Sequence, residues 1–224
     1  MMERAAYCDV DGTLAATTIV TPLIWLRKQT FSSPAYFLWM ASLGVRGPWW
    51  LVTDRIDRGA SNRAIYRQYR GMPVVETKAL AERCYRECIK PRLFPAALKR
   101  LKKFQQDGVK IVLVTGGLDF LMRPLAVELD AECVAPGLVE HQGVFNGELD
   151  RAPLTGAGKA EIVRDHSRKH GVDLRQSYAM GDAMGDKDML ECVGNPIAVN
   201  ADARLARFAL DHGWQREKYS VLPE

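Results

Sequence analysis

The sequence is short of the features that mark several protein classes. No apolar run reaches the roughly 20 residues needed to cross a bilayer, because Pro34, Arg46, Gly47 and Pro48 interrupt the most apolar stretch. Charge is not one-sided: 31 Lys and Arg against 27 Asp and Glu leave +4, too mild to point to a nucleic-acid partner. Histidine is scarce, at four residues in 224. His166 and His170 stand one helical turn apart, but the intervening Ser-Arg-Lys lacks the glutamate of a zinc-protease helix, so a solvated face is expected there. Five cysteines (Cys8, Cys84, Cys88, Cys133 and Cys192) are an odd number without paired metal spacing. That pattern argues against a disulfide framework and predicts free thiols in a reducing compartment. The opening Met1-Met2-Glu3-Arg4 lacks a signal-peptide pattern, which makes the cytoplasm the expected location. With 47% apolar and 26% charged residues, disorder and collagen-like structure are excluded as well.

Four short apolar runs each end in a polar turn: Ala5 to Val10 before Asp11-Gly12-Thr13, Val109 to Val114 before Thr115-Gly116-Gly117, Ser177 to Met180 before Gly181-Asp182, and Ile197 to Val199 before Asn200-Ala201-Asp202. These read as buried strands. Helical stretches separate them, at Pro95 to Gln106, Leu118 to Leu129, Lys159 to His170 and Ala203 to His212, the last two closed by Gly171 and Gly213. The alternation predicts an α/β fold with a central parallel sheet between helical layers, whose ligands sit beyond the carboxyl ends of the strands. A small antiparallel hairpin is expected over Val139 to Leu149.

From Thr17 to Lys90 the alternation stops. The segment reads as several helices punctuated by Pro34, Gly47-Pro48, Gly59 and Gly71-Met72-Pro73. A discontinuous core over residues 1–16 and 92–224, with an inserted α-helical cap over 17–91, accounts for this. The run from Phe31 to Val52, with Tyr36, Phe37, Trp39, Trp49 and Trp50, is expected to be mostly cap core, and Arg55, Arg58, Arg63, Arg67 and Arg70 a solvated face. The same aromatic and basic content leaves open a weak peripheral contact with a membrane.

The chemistry-bearing residues gather at the predicted strand ends. Asp9 and Asp11 are two apart, so both leave the strand on one face, and a hard divalent cation such as Mg²⁺ would offset their repulsion. Asp182 and Asp186 add carboxylates at another strand end. Thr115 and Gly116 offer a hydroxyl and closely approachable amides, and Lys159 adds a cation near a helix start. Together these describe a phosphoryl-binding site. Asp9 could attack phosphorus in line while Asp11 manages the proton. A nucleotide P-loop around Gly158-Lys159 is excluded, since Pro153 and Ala160 stand where that loop needs Gly and Ser/Thr.

Asp9-Val10-Asp11-Gly12-Thr13-Leu14, Val114-Thr115-Gly116-Gly117, Lys159 and Gly181-Asp182-x-x-x-Asp186 together resemble the four motifs of the haloacid dehalogenase superfamily phosphatases, in order and in strand-end placement. The helical insertion after the first motif resembles the subclass that contains phosphoserine phosphatase. The resemblance implies a Rossmann-like three-layer core. It further implies Asp9 as nucleophile, Asp11 as general acid and base, and Thr115, Gly116 and Lys159 as phosphate ligands. Metal ligands would be Asp9, the main-chain carbonyl of Asp11 and Asp182, with Asp186 in support of Mg²⁺. The implied reaction is hydrolysis of a small-molecule phosphomonoester through an aspartyl-phosphate. Thr18 stands where phosphoserine phosphatases carry a cap glutamate, and Gly185 where they carry asparagine, so a phosphoserine-like substrate stays open without support from these residues. A phosphatase acting on a lipid phosphate at a membrane surface and a phospho-accepting signalling module are the two other readings of these residues.

Overall fold

The computed structural model describes residues 3–56 and 58–221, without the side chains of 45, 46, 48–56 and 58. The expectations for Arg46, Trp49, Trp50, Arg55 and Arg58 concern side chains outside that description. Six strands form one parallel sheet in the order β3-β2-β1-β6-β7-β8, from β1 (Arg4–Cys8), β2 (Val109–Val114), β3 (Glu132–Val134), β6 (Tyr178–Gly181), β7 (Asn195–Val199) and β8 (Gln215–Glu217). Two-residue alternation sorts their side chains. Ala6, Cys8, Ile111, Leu113 and Met180 pack on one face against α6 (Pro95–Gln106) and α7 (Asp119–Glu128). Ala5, Tyr7, Val112, Val114 and Ala179 pack on the other against α8 (Ala157–His170), α9 (Lys187–Leu190) and α10 (Ala203–Asp211). The first three strands step one way from β1 and the last three the other, so the sheet reverses direction between β1 and β6. A crevice opens at such a switch point.

The edge strands β3 and β8 were not expected. Each has three residues, and Glu132 and Gln215-Arg216-Glu217 supply no apolar run because an edge strand is half solvated.

Residues 17–91 are helical: α1 (Val20–Thr30), α2 (Ser33–Ile56), α3 (Arg58–Tyr66), α4 (Val74–Ala79) and α5 (Ala81–Cys84), the last running into a π-helical turn at Tyr85–Ile89. Gly47-Pro48 does not break the chain as expected, since α2 continues through it. Its 24 residues include too many polar groups to span a bilayer, and among the described residues no helix is long and apolar enough to do so. The aromatic run is less buried than expected. Trp39 packs beside Arg27 and Phe31, whereas Phe37 and Leu38 are exposed at 69% and 74%. Arg63, Arg67 and Arg70 are exposed as the charge pattern suggests.

Two strips of backbone join the helices to the sheet side by side: Phe94 N–H donates to Leu14 O at 2.9 Å and Ala16 N–H to Arg92 O at 2.8 Å. The hairpin forms as β4 (Leu138–His141) and β5 (Val144–Leu149). Its partner is the helical segment, through Gly71 N–H to Phe145 O and Phe145 N–H to Met72 O.

His166 corrects one expectation. It is 8% exposed, because Ala160, Val163 and His166 follow one another on the sheet-facing side of α8. Tyr7 Oη lies 3.0 Å from its Nδ1 and Glu132 Oε2 lies 3.3 Å from its Nε2, while the His170 ring stacks on it.

Candidate active site

β1 ends at Cys8, and Asp9 follows while its N–H still donates to Met180 O of β6 at 3.0 Å. The chain then turns sharply, with the amides of Thr13, Leu14 and Ala15 all directed at Val10 O. Gly12 makes the turn possible: its φ is +84°, and a Cβ there would stand 2.2 Å from Asp182 Oδ2. The turn returns Thr17 to the site, where its Oγ1 donates to Asp11 Oδ1 at 2.6 Å.

Lys159 arrives from the opposite side on the first turn of α8. Gly156 caps that helix and donates its N–H to Gly185 O at 2.8 Å, tying the helix start to the loop after β6. Lys159 Nζ then lies 2.6 Å from Asp9 Oδ1 and 2.6 Å from Asp186 Oδ1. The other Asp186 oxygen accepts the amides of Asp182 and Ala183, each at 3.2 Å. Asp202 braces the same loop, accepting Met184 N–H at 3.0 Å and donating its own N–H to Asp182 O at 2.8 Å.

All three ions of this triad are almost completely buried, with Asp9 at 5%, Lys159 at 4% and Asp186 at 3% exposure. Burial pushes the Asp9 carboxyl up to about 7; Lys159 pulls it down, and Asp186 and Asp11 add to the rise. Burial would also favour neutral Lys159, but the charges of Asp186 and Asp9 outweigh it and hold the ammonium above its ordinary value. One ammonium faces several carboxylates. Oxygen atoms of Asp9, Asp182 and Asp186 come within 4.8 Å of one another, an all-oxygen, net negative set suited to a hard divalent cation. The Asp11 carboxylate, held by Thr17, is not part of that set.

The end of β2 closes a third side. Thr115 is completely buried, and its Oγ1 accepts Gly117 N–H at 3.0 Å, which curls the loop. Gly116, rather than Thr115, lines the cavity. Tyr66 of α3 donates its hydroxyl to Gly116 O, so the helical segment touches the core at the site. The cavity holds about 750 Å³ and runs from Asp9, Asp11, Asp182 and Lys159 to α1, α2 and α3.

Asp9, Asp11, Gly116, Lys159, Asp182 and Asp186 thus face one cavity, with Thr115 immediately behind it. Sequence reading missed Thr17, Ser61, Asn62, Tyr66 and Asp202. Thr17 lies six residues past Asp11 with no local pattern to pair them, and the three α3 side chains reach the site only through tertiary packing. Asp202 carried a signal, since it accepts Leu205 N–H at 2.8 Å as an N-cap before a helix.

The family model for haloacid dehalogenase-like hydrolases matches residues 6–191. The chain belongs to that family. A phosphoserine phosphatase of Mycobacterium tuberculosis is 29% identical over 226 residues, covering 98% of this chain and 72% of the relative. Among solved structures, this hydrolase superposes on a Bordetella pertussis Tohama I protein of unknown function with a TM-score of 0.81 at 22% identity, covering 99% of this chain and 100% of the other. It also superposes on a phospho-aspartyl intermediate analogue of phosphoserine phosphatase, with a TM-score of 0.70 at 17% identity and coverage of 97% and 94%. At these identities the structures establish a shared fold.

Proposed function

We propose that this hydrolase is a Mg²⁺-dependent phosphomonoesterase working through an aspartyl-phosphate, with residues 17–91 as a cap over a core of 1–16 and 92–224. The observation that carries the reading is the buried triad: Lys159 Nζ at 2.6 Å from both Asp9 and Asp186, with Asp182 converging on the same point.

In this reading Asp9 attacks phosphorus and the bond to the alcohol oxygen breaks. Asp11, held by Thr17, gives that oxygen its proton. Asp11 then takes a proton from water, whose oxygen attacks phosphorus and releases Asp9 and inorganic phosphate. Lys159 favours the ionised form of Asp9 and shares the phosphoryl charge, Gly116 offers its amide, and Thr115, behind it, shapes that loop. Asp9, Asp182 and the Asp11 main-chain carbonyl would hold Mg²⁺, with Asp186 supporting through the loop amides. Bound there, the ion would offset the negative charge of the carboxylates and the phosphoryl oxygens. The proton-handling Asp11 supports a turnover enzyme over a phospho-accepting switch.

Phosphate release from a panel of phosphomonoesters tests this. Activity is expected with Mg²⁺ and not with chelator, and Asp9→Asn should lower kcat/KM by about 10⁴-fold or more. Equal activity of the variant would remove the assignment of the nucleophile.

A further inference from the structure

The cavity is chemically divided. Its charged groups among the described residues, Asp9, Asp11, Lys159, Asp182 and Asp186, all sit at the core end. The wall contributed by residues 17–91 is built from Ile19, Val20, Ile24, Met40, Leu43 and Ile65, and its described polar residues, Thr17, Thr18, Ser61 and Asn62, are neutral. Gly44 and Gly47 lie on the same face of α2 as Met40 and Leu43, and among the described residues a Cβ at either would meet nothing within 4 Å.

We infer that the alcohol half of the substrate is an uncharged hydrocarbon chain: the enzyme takes phosphomonoesters of apolar alcohols in preference to phosphorylated amino acids. The inference rests on the phosphomonoesterase reading for its phosphate end and on the cavity wall for the rest. Phosphorylated amino acids bring an ammonium and a carboxylate beside the ester. Against this wall those charges would lose water without gaining an ionic partner among the described side chains, which is costly. They would also leave most of the roughly 750 Å³ unfilled. A hydrocarbon chain loses unfavourable contact with water for every methylene it lays on Ile24, Leu43 and Ile65, so affinity should grow with chain length.

The test compares ethyl, hexyl and decyl phosphate, dissolved as monomers, with O-phosphoserine under Mg²⁺. The expected result is a kcat/KM that rises at least tenfold from ethyl to decyl and exceeds that for phosphoserine at least tenfold. Met40→Glu and Leu43→Glu should each cut the decyl-to-ethyl ratio at least tenfold, a ratio that a general loss of folded protein does not move. A flat series, a preference for phosphoserine, or ratios untouched by both variants would overturn the inference. So would turnover of decyl phosphate only when it is carried in phosphatidylcholine vesicles, which would put recognition at a bilayer surface instead of in the cavity. Binding of the same alkyl phosphates to Asp9→Asn, read by calorimetry, separates the two levels of argument. If the native enzyme hydrolyses none of them, nor p-nitrophenyl phosphate, the hydrolytic reading fails. A Kd that still falls at least tenfold with chain length would sustain the inference, and a constant Kd would end it.

Discussion

The two halves of the cavity are built on different physics. On the sheet side, five charged side chains sit at strand ends and helix starts, and three of them, Asp9, Lys159 and Asp186, are locked by hydrogen bonds of 2.6 to 3.2 Å among themselves and to loop amides. On the helical side, the described residues that line the same space are neutral and mostly apolar, and hydrogen bonds from Tyr66 to Gly116 and from Thr17 to Asp11 join the halves at the site. A network of buried ions tolerates little change, because each member compensates another. An apolar wall can be repacked without leaving a charge stranded. On the proposed reading the reaction belongs to the core and the choice of alcohol to the helices, and substitutions on each side can break that division.

The largest effect is expected at Lys159. Lys159→Met leaves Asp9 and Asp186 buried without their shared ammonium and should cost about 3–5 kcal/mol in denaturant unfolding measured with chelator. Combining it with Asp186→Asn should restore part of that loss. If the single variant is as stable as the parent, the triad is not the compensated network described here.

Thr17 comes next, because it belongs to the helical segment in sequence yet serves Asp11. Thr17→Val should lower kcat roughly 10- to 100-fold with little change in KM, and Thr17→Ser should recover most of it. A change confined to KM would place Thr17 with the substrate wall instead.

Tyr66→Phe removes one contact across the boundary and should cost about 1 kcal/mol of stability, with KM rising a few-fold and kcat nearly retained. Equal loss in kcat would mean that the helical side takes part in the chemistry.

The smallest effect concerns His166, which is in the core but remote from the cavity. Burial holds its imidazole below the ordinary 6.5, with Glu132 opposing and His170 adding to the fall. The folded chain therefore binds the proton more weakly than the unfolded one. The stability gained from the neutral ring is complete above the unfolded value and is lost as pH drops through the folded value. Melting temperatures in Mg²⁺ should fall more steeply below about pH 6.5 in the parent than in His166→Gln, while kcat at neutral pH stays the same in both.

Much of the core could be read from the sequence because its signals are local. A buried strand is a continuous apolar run, and Asp9, Thr115 and Asp182 each stand where such a run stops. Lys159 followed the same logic from Gly156 and the start of a helix. What escaped lies where the determinant is distant. β3 and β8 are polar edges, His166 is buried where α8 packs on the sheet beside Tyr7, and the hairpin pairs with residues 71–74 instead of the main sheet. α2 passes through Gly47-Pro48 against its local breaker signal. The apolar wall is assembled from α1, α2 and α3, and no single window of sequence contains it.

The most direct test of the central claim is intact-protein and peptide mass analysis of Asp11→Asn after brief exposure to p-nitrophenyl phosphate and Mg²⁺. Without the group that activates water, one phosphoryl group should remain on the peptide containing Asp9, and Asp9→Asn in the same background should abolish it. Labelling at another residue, or undiminished turnover with no phosphorylated protein, would contradict the account.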